Sequence, residues 1–311
     1  MKILITGSEG FIGCHLAAQL TSRGHLVHGL DNGAAMVPDW LRRERSEWSA
    51  IDTLRCDIRD RDALAKAVSR VAPEVVVHLA ARPGVADAEI NPDLYDEVNV
   101  GGVYNVIHAC RAAKVRRIVH ASSSSVYGSI DGPVHEEMGL RPIGHYGRTK
   151  VMGERLIEVA AATGDISALV IRPFSVIGAR GRPDMAPWRF AECLLKGEAV
   201  TIHEGAGRDF TSVTDAAAAF ALAAEDDFRG YCAVNIGGGS PRLAVDLANE
   251  LARGLGRECV AKIVPPPPYM PLSTHADISR AAKLLGWAPR KSFEGSVSEF
   301  SRWFIEAKSK R

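Results

Sequence analysis

Short apolar runs alternate with longer stretches of helical period across the first half of the chain. KILIT (2–6), LVHGL (26–30), VVVH (75–78), Arg117 to Ala121 and Ser167 to Ile171 are β-rich and almost continuously apolar. Between them, Phe11 to Arg23, Ala63 to Val71, Tyr95 to Ala113 and His145 to Ala162 space their apolar residues for a helix, and Pro73 closes the second of these. Strands that are apolar on both faces, each followed by a helix, predict an α/β fold with a doubly wound parallel sheet.

After Arg172-Pro173 the pattern loosens, and Gly and Pro become frequent (GARGRPDMAP). Residues 1–173 are therefore expected to form the sheet domain and residues 174–311 a smaller C-terminal α/β lobe. The chain is expected to return to the first domain at about 211–236, where TSVTDAAAAFALAAE and YCAVNIG look like a further helix and strand. The run PPPP at 265–268 is read as a stiff connection, because helical periods follow it at Ser279 to Leu285 and Phe293 to Ala307. There is no internal repeat.

Composition narrows the class. The chain has 311 residues, 46% of them apolar, which is enough for a large core. A net charge of +1 carries no footprint of nucleic-acid binding. The densest basic cluster, WLRRERSEW from Trp40 to Trp48, mixes both signs and reads as a solvated helical turn. The opening MKILITGSEG is a strand and a turn, unlike a secretion signal, and no run approaches the ~18 apolar residues of a membrane span. Six scattered cysteines form no CxxC pair and no metal-ligand cluster, so reduced thiols in a cytoplasmic protein without a metal are expected.

Gly7-Ser8-Glu9-Gly10-Phe11-Ile12-Gly13 lies between the first strand and the first helix. Its glycines permit a tight turn and close approach of backbone to a pyrophosphate, and the helix N-terminus supplies N–H groups and the positive end of the dipole. In this strand–loop–helix order the loop predicts a dinucleotide-binding, Rossmann-type domain. Asp31 ends the second strand about twenty residues past the loop, where a carboxylate accepts bonds from the adenosine ribose and repels an extra phosphate. NAD is therefore expected rather than NADP.

Tyr146 and Lys150 are four residues apart at the start of a predicted helix and share a face. An ammonium beside a phenol favours the phenolate, which can take a proton from an alcohol while hydride leaves the same carbon.

Together these motifs resemble the extended short-chain dehydrogenase/reductases, and within them the NAD-dependent epimerase/dehydratase family that acts on nucleotide sugars. The residues that carry the resemblance are the glycine loop, Asp31, Cys56-Asp57-Ile58, His78-Leu79-Ala80-Ala81, Asn99, Ser122 to Ser125 with Val126-Tyr127-Gly128, Tyr146 with Lys150, Arg208-Asp209-Phe210-Thr211 and Ala276-Asp277-Ile278-Ser279. The resemblance implies that Gly7, Gly10, Phe11, Ile12 and Gly13 cradle the NAD pyrophosphate, that Asp31 and Asn32 take the ribose, and that Asp57 and Ile58 flank adenine. It implies that Leu79, Ala80, Ala81 and Asn99 line the nicotinamide side. Tyr146 is then the base, Lys150 also holds the nicotinamide ribose, Ser123 bonds the reacting oxygen, and Arg208 meets the substrate diphosphate.

The next two serines bear on the reaction. Sugar dehydratases of this family carry Asp-Glu at these positions, and nucleotide-uronate decarboxylases carry Glu at the second. Ser124 and Ser125 cannot act as carboxylate acid or base, so a plain epimerase is implied. HLAARPGV (78–85), ASSSSVYG (121–128) and RGRPDM (180–185) are similar to the UDP-glucuronate 4-epimerase branch. There the 4-keto intermediate is a β-keto acid that loses carbon dioxide fastest when its carboxylate bond stands perpendicular to the carbonyl plane; the hydroxyls of Ser124, Ser125 and Ser175 are expected to hold it out of that pose, with Arg182 helping to position it. The sequence departs from the branch at Ala86, where Arg is usual and the nearby Arg82 is expected to take its place in binding substrate, at Pro173 in place of an aromatic residue, and at Met270 and Ser273 on the nucleotide side.

The leading expectation is an NAD-dependent UDP-glucuronate 4-epimerase. A UDP-glucose or UDP-N-acetylhexosamine epimerase, and an epimerase of another nucleotide sugar in secondary metabolism, are the enzymatic alternatives. A non-catalytic NAD-binding sensor is the alternative of another class, disfavoured because Tyr146, Lys150 and Ser123 are all present. A homodimer is expected through helices 95–113 and 145–162.

Overall fold

A computed structural model describes residues 1–34 and 37–310. Arg311, the last residue of the expected second lobe, lies outside the described residues. The first half runs β1 (Lys2–Thr6), α1 (Phe11–Ser22), β2 (Leu26–Asp31), α2 (Asp39–Ser49), β3 (Asp52–Arg55), α3 (Arg61–Val71), β4 (Val75–His78), α4 (Val85–Ile90), α5 (Pro92–Asp96), α6 (Gly102–Ala112), β5 (Arg117–Ala121), α7 (His145–Ala162) and β6 (Ser167–Pro173). The second half adds β7 (Ser175–Ile177), β8 (Val200–His203), β9 (Gly207–Ser212), β10 (Tyr231–Ile236), β11 (Pro241–Leu243) and β12 (Ala261–Val264), with helices at Ala186–Lys196, Val213–Glu225, Ala244–Leu255, Ser279–Leu285 and Phe293–Ser309.

Seven strands form one sheet in the order β10-β6-β5-β4-β1-β2-β3, with every neighbouring pair parallel. The order reverses beside β1, which opens a crevice at the carboxyl ends of β1 and β4, the usual place for a ligand in such sheets. Alternate strand residues point to opposite faces. Ile3 and Ile5 pack with Leu16, Leu20 and Phe220 on one side. Leu4, Val76 and Ile118 pack with Val106 and Ile157 on the other. Both faces are apolar because both are covered by helices. Strand β10 joins this sheet beside β6, after the helix Val213–Glu225, whose N-terminus Ser212 caps by accepting the Thr214 N–H.

The C-terminal half builds two small sheets, β11-β9-β7 and β12-β8, around Trp188, Leu251, Phe300, Trp303 and Phe304. Leu41 of α2 is fully buried in this same cluster, and the Trp40 ring stacks on Trp303 with centroids 6.4 Å apart. The segment Trp40 to Trp48 is thus a packed helix and not a solvated turn. A second difference is in the expected helix Tyr95 to Ala113, where a π turn at Glu97–Gly101 separates α5 from α6. Among the described residues, no helix is long and apolar enough to cross a membrane, and no cluster could hold a metal ion.

Candidate active site

The glycine loop is shaped by contacts that exclude a side chain. Gly7 has φ +73°, and a Cβ there would lie 2.7 Å from the Ala80 nitrogen. A Cβ on Gly13 would lie 2.1 Å from the Gly7 carbonyl oxygen. Helix α1, which includes Phe11 and Ile12, begins with no side-chain cap and no acidic residue in its first turn. Its N–H groups and dipole are left to an anion.

Asp31 is 8% exposed at the tip of β2 and accepts the Glu9 N–H at 3.1 Å and the Gly33 N–H at 2.8 Å. Burial raises its pKa, and the bonds from Gly33 and Glu9 oppose that rise. Arg55 closes the loop from β3 through two 2.6 Å bonds to the Glu9 carboxylate. Asn32 donates to Asp57 at 3.0 Å, and the Arg59 guanidinium beside Asp57 holds its carboxyl down at about 2. Ile58 is buried under α6, where a Cβ on Gly102 would collide with it. An open glycine cradle, an uncapped helix end and a carboxylate at the second strand tip are the donor and acceptor set a dinucleotide requires, and the site fits NAD.

Beyond β4, Leu79 and Ala80 are tied to the glycine strand, donating to the Thr6 carbonyl at 3.0 Å and to Thr6 Oγ1 at 3.3 Å. Ala81 is half-buried on the same loop. The π turn aims Asn99 inward. Its Oδ1 accepts the Arg82 N–H at 2.7 Å, and its Nδ2 donates to the Arg82 carbonyl at 3.0 Å and to Thr149 Oγ1 at 3.1 Å. Asn99 therefore fixes both the loop from Leu79 to Arg82 and helix α7.

Tyr146 is the second residue of α7, half-buried, with the Tyr95 ring edge-on at 6.3 Å. Burial raises its pKa, while the Arg182 cation and the Ser123 hydroxyl favour the phenolate. Lys150 was the expected source of that field. It is 4% exposed and donates to the Ala121 carbonyl at 2.6 Å, so its ammonium is directed to the end of β5. Burial lowers its pKa to about 8, against the pull of Glu154.

The four serines divide. Ser122 is buried and donates to Glu154, which also takes Arg172 in a bidentate pair at 2.9 and 2.7 Å. Ser123 caps the 3₁₀ turn Ser124–Val126, accepting the Ser125 N–H at 3.1 Å, and its Oγ lies 3.1 Å from Ser125 Oγ. Ser124 and Ser125 are half-buried beside it. Glu154 was not singled out from the sequence, although it follows Lys150 by four residues on the same helix.

The arginines are held by partners the sequence did not reveal. Arg182 pairs with Asp184 at 2.9 and 2.6 Å. Arg82 pairs with Asp87 at 3.0 Å, and Asp87 also accepts the Tyr95 hydroxyl at 3.0 Å. Ala86, in α4, is exposed. Ser175 opens β7 opposite Phe210 of β9. Arg208 donates to the Gly207 and Leu272 carbonyls at 2.6 and 2.8 Å, which ties it to the segment between Met270 and Ser273.

Residues 3–237 match the model of the NAD dependent epimerase/dehydratase family. UDP-glucuronate 4-epimerase 3 of Arabidopsis thaliana is 34% identical over 329 residues, covering 98% of this chain and 76% of the plant protein. The solved UDP-glucuronic acid 4-epimerase from Bacillus cereus, in complex with UDP-glucuronic acid and NAD, superposes with a TM-score of 0.92 at 32% identity, over 99% of this chain and 100% of that one. MoeE5 in complex with UDP-glucuronic acid and NAD superposes with a TM-score of 0.89 at 32% identity, over 99% and 100%. With its family model matched across the glycine loop, the Tyr146–Lys150 helix and the whole seven-stranded sheet, the chain belongs to the NAD-dependent epimerase/dehydratase family.

Proposed function

We propose that this protein is an NAD-dependent nucleotide-sugar 4-epimerase that interconverts UDP-glucuronate and UDP-galacturonate. The observation that carries the reading is the serine turn under the helix of Tyr146: Ser123 caps it, a Cβ on Gly147 would lie 2.6 Å from the Ser125 carbonyl oxygen, and the positions that hold a carboxylate in dehydratases and decarboxylases are Ser124 and Ser125. The plant and Bacillus cereus relatives carry the uronate in their names, which supports the choice of sugar.

Gly7, Gly10, Gly13 and Asp31 would hold NAD, which when bound would supply a hydride acceptor and donor for carbon 4 of the sugar. Tyr146 removes the proton of the 4-hydroxyl and returns it, and Ser123 orients that oxygen. Lys150 adds positive charge behind the site while it remains protonated. Ser124, Ser125 and Ser175 keep the carboxylate bond from standing perpendicular to the 4-keto plane, the pose in which carbon dioxide leaves, Arg182 helps to position it, and Arg208 takes the diphosphate. Residues 1–173 with the return at 211–236 serve the cofactor, and 174–311 the nucleotide sugar. We also propose a homodimer through α6 and α7, where Tyr104, Met152 and Val159 are 52%, 49% and 66% exposed. The six free cysteines suit a cytoplasmic location.

The test is to incubate the purified protein, without added NAD, with UDP-glucuronate, UDP-glucose and UDP-N-acetylglucosamine, and to resolve products by NMR. Conversion of UDP-glucuronate to the galacto isomer supports the reading. MoeE5 is also solved in complex with UDP-glucose and NAD. Turnover of a neutral sugar alone would keep the epimerase and remove the carboxylate role of the serines.

A further inference from the structure

Helix α2 carries an arginine whose burial packing alone does not explain. Arg45 is 1% exposed. Its guanidinium donates to the Arg180 carbonyl from Nε at 3.1 Å and from Nη2 at 2.8 Å, to the Gly181 carbonyl at 3.2 Å and to the Glu9 carbonyl at 3.4 Å. All of these acceptors are main-chain carbonyls. Burying a cation on such partners is costly, and an apolar residue would fill the same space at less cost. What arginine adds is a rigid fork of donors that can bridge two segments at once.

The two segments are the glycine loop, through Glu9, and the residues immediately before Arg182. Arg180 has φ +63°, a left-handed conformation that a non-glycine residue keeps only where its surroundings over-determine it. The same helix supplies them: the Arg180 guanidinium lies 3.7 Å over the Trp48 ring and pairs with Glu44 at 3.2 Å. From α1, His15 Nε2 donates to the Ala179 carbonyl at 3.0 Å. Cofactor-side helices thus define the path of the chain into Arg182.

We propose that Arg45 is a positioning residue that ties the glycine loop to the substrate-side Arg182, so that both are held in one register. The proposal rests on the reading of Arg182 as a contact to the substrate carboxylate. It predicts coupling between two residues that do not share a hydrogen bond.

The experiment uses the full-length, NAD-loaded protein and the variants Arg45→Met, Arg45→Lys, Arg182→Gln and Arg45→Met/Arg182→Gln. KM and kcat are measured with UDP-glucuronate, and the Arg45→Lys variant is crystallised with NAD. Lysine keeps the charge but cannot span the carbonyls, so it carries the test where Arg45→Met fails to fold. Either Arg45 variant is expected to raise KM about tenfold with little change in kcat, and the double variant to be no worse than Arg182→Gln. A lowered Tm with unmoved KM, or effects that multiply in the double variant, would overturn the proposal. Inactivity of the wild type toward UDP-glucuronate would sink the functional reading separately. The crystal structure then decides the positioning role: Arg180 displaced from its left-handed conformation sustains it, and an unchanged path from Arg180 to Arg182 refutes it.

Discussion

Glu154 and Arg172 form a bidentate ion pair in which the two side chains are 1% and 4% exposed. The pair lies one helical turn beyond Lys150 and continues through Arg172 to the Tyr127 hydroxyl at 2.8 Å and from there to Asn235 at 2.7 Å. Removing one partner of such a pair leaves the other charge buried, at a cost of about 3–5 kcal/mol. Glu154→Gln is expected to lower stability by that order in denaturant titration. It also removes the carboxylate that supports the charge on Lys150, whose pKa burial already lowers to about 8. The alkaline limb of the kcat/KM profile is therefore expected to move to lower pH in the variant. A profile superimposable on wild type would show that Lys150 does not depend on Glu154.

Three buried histidines make stability fall in mild acid. His78, His120 and His15 are 1%, 2% and 6% exposed. Burial, their largest influence, lowers His78 to about 3 and His15 to about 4, and it lowers His120 as well, with the Lys150 cation adding to the effect on His78 and His120. The unfolded chain binds these protons below about 6.5, whereas the folded chain does not. The stabilising contribution is complete above that value and is lost as pH falls toward the folded values. Each histidine contributes ~1.4 kcal/mol per pH unit in that window, so the slope for the three is ~4 kcal/mol per unit. Neither ring nitrogen of His120 has a hydrogen-bond partner among the described residues. His120→Phe is expected to flatten the slope by about a third without loss of stability at neutral pH. Denaturant midpoints measured at neutral and mildly acidic pH check both expectations.

Cofactor choice is proposed to depend on the Asp31 carboxylate. A ribose phosphate placed beside it would meet a negative charge, yet cations are close by: a Cβ on Gly33 would lie 3.2 Å from an Arg55 nitrogen and 3.6 Å from an Arg42 nitrogen. Asp31→Asn removes the charge and keeps an acceptor for one of the two N–H groups of Glu9 and Gly33. The ratio of NAD to NADP affinity is expected to fall by about tenfold or more, read by calorimetric titration of both nucleotides into cofactor-free protein. An unchanged ratio would mean that the preference resides elsewhere in the loop.

The elements legible from sequence are those whose signal is local. VVVH and KILIT became β4 and β1 because runs that are apolar on both faces fit only a covered sheet. Strand β3, DTLR, was not foreseen: it is an edge strand with no fully buried position and so has no apolar run. The π turn at Glu97–Gly101 has the same helical periodicity as its flanks, and nothing in its composition marks the extra residue. Arg45 looked like one charge among many because its acceptors lie 36 and 135 residues away. The residues at Tyr146 and Lys150 were readable from their spacing. The direction of the lysine, toward Ala121, depends on where β5 ends.

Placing a carboxylate in the serine turn should alter the fate of the intermediate. The turn packs directly beneath the start of α7, where a Cβ on Gly147 would lie 2.6 Å from the Ser125 carbonyl oxygen. Any side chain at 125 is therefore close to the helix that carries Tyr146. If the chain oxidises a uronate at carbon 4, the product is a β-keto acid, and its survival depends on holding the carboxylate away from the pose that releases carbon dioxide. Hydroxyls can hold it without exchanging a charge. A glutamate at 125 would repel it and supply a proton-transfer group. Ser125→Glu is expected to shift products from the epimer toward the decarboxylated sugar, measured as carbon dioxide released from carboxyl-labelled UDP-glucuronate alongside NMR of the nucleotide sugars. Ser125→Ala serves as the comparison, since it removes the hydroxyl without adding a carboxylate. Equal decarboxylation in both variants would assign the effect to loss of restraint, and no rise in either would refute a carboxylate-holding role for Ser125.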